Sequence, residues 1–243
     1  MTSLENAAER RGLLPAILYI VLIFLYTLIL GIPCMAISLF QPEGRLNYRF
    51  IRTWARLLLR TCGVKVEVHG RENIPSDGAF LIMSTHKSHF DIPVLITEIP
   101  RQFRIVAKES LFKIPVFGWV MTIAGYVKVD RANQKQAFAS LDKAADNVRT
   151  GMPLLIFPEG TRSPDGSLGP FKKGGFVLAI KAGAPLVPVV VDGTFSVLPK
   201  TTWRIKPARV RAMFGEPIDV TGYSVENKER LMEDVHRAMA DMK

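Results

Sequence analysis

Residues 13–40 contain no Asp, Glu, Lys, Arg or His, and this uninterrupted run of 28 residues constrains the chain more than any other feature. A helix needs about 20 apolar residues to cross the hydrocarbon core of a bilayer. The run is apolar on every side, whereas a helix at the surface of a soluble domain is apolar along one stripe. A cleaved signal peptide has a shorter apolar core of about 7 to 15 residues and ends at a small-residue site. Pro33, Cys34, Met35 and Ala36 make a poor one. The run is therefore read as a retained membrane segment. Gly31 and Pro33 can kink or break a helix, which leaves two geometries open. Residues 13–30 could span alone, about 27 Å long at 1.5 Å per residue. Alternatively, two shorter helices could sit as a hairpin in one leaflet. Before the run Glu5 and Glu9 offset Arg10 and Arg11; after it come Arg45, Arg49, Arg52, Arg56 and Arg60. An excess of cations on the downstream side places that side in the cytoplasm.

Those arginines sit in a second pattern. Phe50, Ile51, Trp54, Leu57, Leu58 and Cys62 recur at helical spacing, with Arg49, Arg52, Arg56 and Arg60 between them. Such a helix suits a surface of anionic headgroups; the competing reading packs it on the domain with a solvated basic face. The whole chain carries 32 Lys and Arg against 22 Asp and Glu, a formal net charge of +10. That balance favours an anionic partner without choosing between nucleic acid, anionic lipid and an acidic carrier protein. Apolar residues make up 48% of the chain, which excludes bulk disorder. The two cysteines, Cys34 and Cys62, read as reduced packing residues.

From Gly63 onward the pattern is that of an α/β domain. Strands are expected over 64–68, 79–83, 104–107, 125–129, 153–157, 186–191 and 209–214, the last as an edge strand. Helices are expected over 90–98, 115–124, 134–149 and 226–242. Alternating strands and helices predict a mostly parallel central sheet flanked by helices. The division expected is residues 1–62 as N-terminal membrane-attachment helices and 63–243 as the α/β domain. The longest irregular stretch, 158–175, is rich in proline, glycine and charge, and long loops of this kind are usually functional.

Two motifs leave apolar strands at the end where open α/β sheets bind ligands. The first reads Ser84-Thr85-His86-Lys87-Ser88-His89-Phe90-Asp91. His86 and Asp91 are five positions apart, which on one continuous helix points them about 140° away from each other. They meet only if His86 lies in the turn and Asp91 in the first helical turn. Ser88 is suited to cap that helix, with Asp91 three positions on. A carboxylate beside a histidine fixes the ring's tautomer and supports it as a general base. The competing readings are a capping box that uses Asp91 alone, and a metal site on His86, His89 and Asp91, for which His69 and His236 offer no obvious partner. The second motif reads Phe157-Pro158-Glu159-Gly160-Thr161-Arg162-Ser163. Gly160 permits close backbone approach, Thr161 adds a hydroxyl, and Arg162 offers a fork of donors to a phosphate. Glu159 would pair with an arginine or accept from a substrate hydroxyl. Between the motifs lie residues 108–118, beginning with Lys108, and 125–131, ending with Asp130 and Arg131. Arg131 is a second phosphate-clamp candidate. A surface turn with a structural ion pair explains these charges equally well if each is taken alone.

Together these blocks resemble the glycerolipid acyltransferases that carry a His-x4-Asp motif, especially the bacterial 1-acyl-sn-glycerol-3-phosphate acyltransferases. His86, Ser88 and Asp91 match the first family block, 125–131 the second, 157–163 the third and 186–189 the fourth. Order and spacing agree across about residues 60–220. Thr85 departs from the family's usual Asn, and Lys87 from its common Gln or Arg, which bears on how the histidine turn is held. The resemblance implies acylation of the 2-hydroxyl of lysophosphatidic acid to give phosphatidic acid in phospholipid biosynthesis. The donor would be a fatty acyl thioester of coenzyme A or acyl carrier protein. It implies His86 and Asp91 as catalytic, Arg131, Glu159, Gly160, Thr161 and Arg162 around the acceptor phosphate, and Lys108 at a developing oxyanion or phosphate. No metal or cofactor is implied, and no Gly-x-Ser-x-Gly elbow suggests an acyl-enzyme. The expected setting is a bacterial inner membrane with the domain on its cytoplasmic face, in contact with anionic lipids. A related acyltransferase using glycerol 3-phosphate, a lyso-ornithine lipid or another lysophospholipid is the alternative. A non-enzymatic basic membrane or nucleic-acid binder is the remote one, since no nucleic-acid motif is visible.

Overall fold

A strand that is apolar on both sides has to be covered on both sides, and residues 154–156 and 186–191 are of that kind. The computed structural model describes residues 3–41, 44–130 and 134–242. Its described strands are β1 (Val64–His69), β2 (Leu81–Ser84), β3 (Arg104–Lys108), β4 (Val127–Val129), β5 (Leu154–Ile156), β6 (Leu186–Asp192) and β7 (Ala208–Phe214). They form one sheet in the order β1-β7-β6-β2-β5-β3-β4. Neighbours are parallel except β6 and β7. The helices are α1 (Ser3–Ser38), α2 (Arg45–Thr61), α3 (Asp91–Glu98), α4 (Phe117–Ile123), α5 (Gln134–Arg149), α6 (Lys173–Ala182), α7 (Thr194–Val197) and α8 (Lys228–Asp241). The α/β architecture, with helices on both faces of a mostly parallel sheet and an apolar helix in front, is the one the sequence predicts.

Successive residues of β2 point to opposite faces, so one strand serves two cores. Ile82 joins Leu58, Leu59, Val94, Leu95 and Val189 under α2 and α3. Leu81 and Met83 join Ala145, Phe176, Leu178 and Leu231 under α5, α6 and α8. Because Ala55, Leu58, Leu59 and Cys62 belong to the first core, α2 is packed into the domain rather than beside it. Its other face carries the exposed Arg45, Arg49, Arg56 and Arg60, while Arg52 Nη2 donates to Thr97 O at 2.6 Å. The apolar side of this helix is thus packed on the domain, and its basic side is left open. Cys34 and Cys62 are buried and free.

The apolar run forms one continuous helix through Gly31 and Pro33, not two short ones. α1 and α2 pair antiparallel: Cys34 Sγ reaches Asn47 O at 3.9 Å, Trp54 Nε1 donates to Thr27 Oγ1 at 3.1 Å, and Tyr26 Oη meets Thr61 Oγ1 at 3.0 Å. Gly31 is there because nothing larger fits: a Cβ would stand 2.6 Å from Val116 Cγ1. Val116 itself has φ 62°, the lone positive value at a non-glycine residue among the described residues.

Two expectations need correction. β7 is not an edge strand; it lies between β1 and β6. Arg209 and Arg211 suggested an edge, but they alternate with the fully buried Val210 and Ala212, and alternation reports one solvated face, not an unpaired side. The stretch 158–175 is shorter than it looked, because α6 begins at Lys173. Gly174 and Gly175 disguised that start. Gly175 packs closely on β5: a Cβ there would lie 3.2 Å from Ile156 Cγ2.

Candidate active site

β2 and β5 are parallel neighbours, so the turn after β2 and the loop after β5 leave the sheet side by side. His86 and Asp91 do meet as the spacing requires, with Nδ1 2.9 Å from Oδ2. The same Oδ2 accepts the backbone N–H groups of Lys87 and Ser88, each at 2.8 Å. Asp91 is the first residue of α3 and is fully buried. Reaching back to the Ser88 N–H is half of a capping box; Ser88 Oγ instead accepts from Phe90 N at 3.2 Å and donates to Leu198 O at 2.9 Å. The helix itself begins at Asp91 with Phe90 at its N-cap and no side-chain cap, so Ser88 does not cap α3 as expected; Ser88 and Asp91 hold the turn that precedes it. A carboxylate only accepts, so in the neutral ring the proton sits on Nδ1 and the lone pair on Nε2.

The ring is fixed from other directions. It stacks on Phe157 with centroids 3.9 Å apart and planes 20° from parallel. The backbone N–H of His86 donates to Glu159 Oε1 at 2.8 Å, and its carbonyl accepts from Ser163 N at 2.7 Å. Glu159 Oε2 accepts from Gly169 N at 3.1 Å. Glu159, grouped with the phosphate ligands from sequence, thus holds backbone amides. It is buried, and burial pushes its carboxyl up in pKa while the amides of His86 and Gly169 pull it down. Thr85 answers the question its departure raised: its Oγ1 accepts from Val191 N at 2.9 Å and donates to Val191 O at 3.3 Å, pinning the turn to β6. Lys87 is buried and reaches Asp192 Oδ1 at 2.7 Å. That contact, helped by Arg211, pulls the Asp192 carboxyl down to about 2.

Sequence reading missed Thr194, whose hydroxyl donates to Asp91 Oδ1 at 2.5 Å from the first residue of α7. Asp91 is thereby bonded on both oxygens. It also missed two cations near the second motif. A Cβ on Gly160, where φ is +70°, would lie 2.8 Å from Lys172 Cδ, and Lys200 Nζ is 3.4 Å from Thr161 Oγ1. Thr161 is exposed and Arg162 half-buried. Arg162 stands within electrostatic reach of Asp91 and His89, and desolvation lowers its pKa. Partial burial, then the charges of Arg162 and His86, push His89 down to about 4. Lys108 is exposed at the carboxyl end of β3, two strand spacings or about 10 Å from β2. Arg131 lies outside the described residues. Among the described residues no three His, Cys, Asp or Glu side chains gather at one point.

The site thus combines an oriented imidazole with an arginine at the carboxyl ends of adjacent strands. The model of the family described as Acyltransferase matches residues 65–192, a span that begins in β1, contains both motifs and ends at Asp192. The chain belongs to the acyltransferase family. Members of known name are similar along most of the chain. The 1-acyl-sn-glycerol-3-phosphate acyltransferase of Pseudomonas aeruginosa is 32% identical over 184 residues, covering 73% of this chain and 70% of that protein. The chloroplastic enzyme of that name from Brassica napus is 35% identical over 185 residues, covering 75% of this chain and 53% of the relative. This chain therefore spans about half the length of its chloroplastic relatives. The crystal structure of the 1-acyl-sn-glycerophosphate acyltransferase of Thermotoga maritima superposes with a TM-score of 0.81 at 29% identity, covering 96% and 97% of the two chains.

Proposed function

We propose that the chain transfers a fatty acyl group from an acyl thioester to the 2-hydroxyl of 1-acyl-glycerol 3-phosphate, forming phosphatidic acid. The observation that carries this reading is the His86–Asp91 pair, which in the neutral ring leaves the lone pair on Nε2. His86 Nε2 takes the proton of the 2-hydroxyl as that oxygen attacks the thioester carbonyl. The tetrahedral adduct collapses by breaking the carbon–sulfur bond, and the thiolate takes the proton back from the imidazolium. Asp91 stabilises the imidazolium in between. Arg162, with Gly160, Thr161 and the newly seen Lys172 and Lys200, holds the acceptor phosphate through charge-assisted hydrogen bonds. Arg131 is assigned to the same phosphate, and Lys108 to a developing oxyanion or phosphate. Coenzyme A and acyl carrier protein are both admitted as donor carriers, and the mechanism calls on no metal or cofactor. The names of the similar proteins support the acceptor.

The same reading seats α1 in a membrane, with the remaining domain on its cytoplasmic side as in a bacterial inner membrane. Within residues 16–38 the most apolar stretch of 18 residues has a mean hydropathy of 2.6, and 11% of it is buried against the protein. Arg56 and Arg60 line a groove with Lys65 and Arg71, which suits anionic headgroups. In this scheme 1–62 governs delivery of the acceptor and 63–243 the chemistry. The test is thioester release by the purified full chain with lysophosphatidic acid, run with both donors and with product identified. Phosphatidic acid is expected; release only with glycerol 3-phosphate or a lyso-ornithine lipid moves the acceptor, and no release with any of them overturns the assignment.

A further inference from the structure

Outside α1 and the turn that follows it, the most exposed large apolar side chain among the described residues is Trp203, 76% accessible. Its loop is closed and held. Lys206 N donates to Val197 O at 2.9 Å, joining the two ends of the loop, and Arg204 N donates to Thr202 Oγ1 at 3.1 Å inside it. Leu198 and Ile205 are buried in the core that α2 and α3 share. The loop also borders the active site, because Leu198 O accepts from Ser88 Oγ and Lys200 reaches Thr161. A tryptophan left in water at the tip of a loop so well fixed at its base is not a side chain lacking a place to pack by accident of mobility. Around it stand Lys200, Arg204, Lys206 and Arg209, all exposed, with no acid from residue 198 to residue 209.

The loop's position follows from the helix pairing. α2 runs toward the end of the sheet where β1 and β7 begin, which is the His86 end because β7 is antiparallel to β6. Just past α2, Gly63 touches Pro207, the foot of the loop: a Cβ there would lie 3.0 Å from Pro207 Cβ. α1 runs antiparallel and meets Thr61 through Tyr26. Its stretch before Tyr26 therefore lies beyond the end of α2, on the Trp203 side. There Ala16 is buried, and Tyr19 and Ile23 pack on the core that contains Leu198 and Ile205. The opposite face of the same stretch exposes Ile17, Leu18, Ile20, Val21, Phe24 and Leu25.

We infer that the loop carrying Trp203 is a second membrane contact, with the indole at headgroup level and Lys200, Arg204 and Lys206 on anionic lipid. An indole joins an apolar ring to one N–H donor and so settles where hydrocarbon meets headgroups. Cations close to an anionic leaflet strengthen such a contact. The bilayer that covers the exposed face of α1 reaches the loop because the two are packed on one core. The contact sets the mouth beside Ser88 and Thr161 at the height of the acceptor's phosphate, and the charge of the loop concentrates anionic lipid there.

This inference rests on the membrane reading of α1, so the experiment reads the two separately. Because α1 alone would keep the chain bound, the readout has to be local. The native full chain and Trp203→Phe are added to vesicles of phosphatidylcholine and phosphatidylglycerol, with bromine either near the headgroup end of the acyl chains or deep. The emission lost in Trp203→Phe isolates Trp203 from Trp54 and Trp119, and an exposed aromatic exchange leaves the fold untouched. That component is expected to be blue-shifted and quenched by shallow bromine more than by deep. Reversing Lys200, Arg204 and Lys206 to Glu is expected to weaken the quenching. Chain that pellets with vesicles while the Trp203 component stays unquenched overturns the loop contact alone. Chain that does not pellet overturns the membrane reading and the contact with it. A Trp203 signal that responds to acyl carrier protein and not to lipid gives the loop to the donor and overturns the inference as well.

Discussion

The turn after β2 and the loop after β5 leave neighbouring strands at the same end of the sheet, yet they are held very differently. In the first, Thr85, His86, Lys87, Ser88 and Asp91 are all buried, and each side chain has a fixed partner. In the second, the buried part ends at Glu159 and Ser163, which clamp the histidine turn, while Thr161 is exposed and Arg162, Lys172 and Lys200 sit at or near the surface. A base must be oriented before its substrate arrives, because misplacement at the reacting atoms is costly in rate. A cation for a phosphate can close on its ligand as it binds. On the proposed mechanism this difference separates a pre-organised chemical element from an adaptable gripping one, and substitutions in the two should fail in different ways.

The largest effect is expected at the rigid element. His86→Ala should lower turnover by about 10²- to 10⁴-fold, the usual contribution of a positioned base, with the acceptor Michaelis constant little changed; steady-state thioester release checks both. Next comes the adaptable element. Arg162→Ala removes a charge-assisted contact of about 1.5–3 kcal/mol, which corresponds to roughly a 10- to 150-fold rise in the acceptor Michaelis constant. The donor constant should stay put, and Arg162→Lys should recover only part, since an ammonium lacks the fork. Thr194→Val leaves Asp91 Oδ1 without its donor at 2.5 Å. It should cost about 1–3 kcal/mol of stability in denaturant titrations, the penalty for an unpaired buried group, with a rate loss smaller than that of His86→Ala.

The smallest effect is expected at His89, which shares the motif but lies at the solvent edge of the site, only partly covered. His89→Ala should retain most activity in the same assay. Its folded pKa, near 4, lies below the ordinary value of 6.5, so protonation favours the unfolded chain. This component of stability is therefore lost as pH falls from about 6.5 toward 4. His89→Ala should flatten the midpoint of denaturation across that window and leave it unchanged above. A loss at His89 equal to that at His86 would break the comparison between the elements and revive a joint role for the two histidines.

What could be read from sequence divides along the same line. The His86–Asp91 geometry was legible because its signals are local: an apolar strand, a polar turn and a carboxylate five positions on that meets the histidine once the helix starts there. The role of Glu159 was not, because its partner's amide lies 73 positions away, and neither was Thr194, 103 positions from Asp91. Both partnerships exist only once β5 and β6 flank β2. The same limit hid the place of β7, since alternation along a strand reports its faces and not its neighbours. α6 was lost for a different reason: its glycines mark loops in a sequence, whereas here Gly175 faces Ile156 of β5 and Gly174 faces Leu141 of α5.

The most direct test of the division compares His86→Ala and Arg162→Ala in one experiment, with folding verified by circular dichroism and acceptor raised from below to far above the native Michaelis constant. The account predicts that saturating lysophosphatidic acid returns Arg162→Ala to nearly native turnover, while His86→Ala stays at least about 100-fold down at every concentration. If excess acceptor restored His86→Ala as well, the imidazole would be a binding group and not the base, and the central claim would be contradicted.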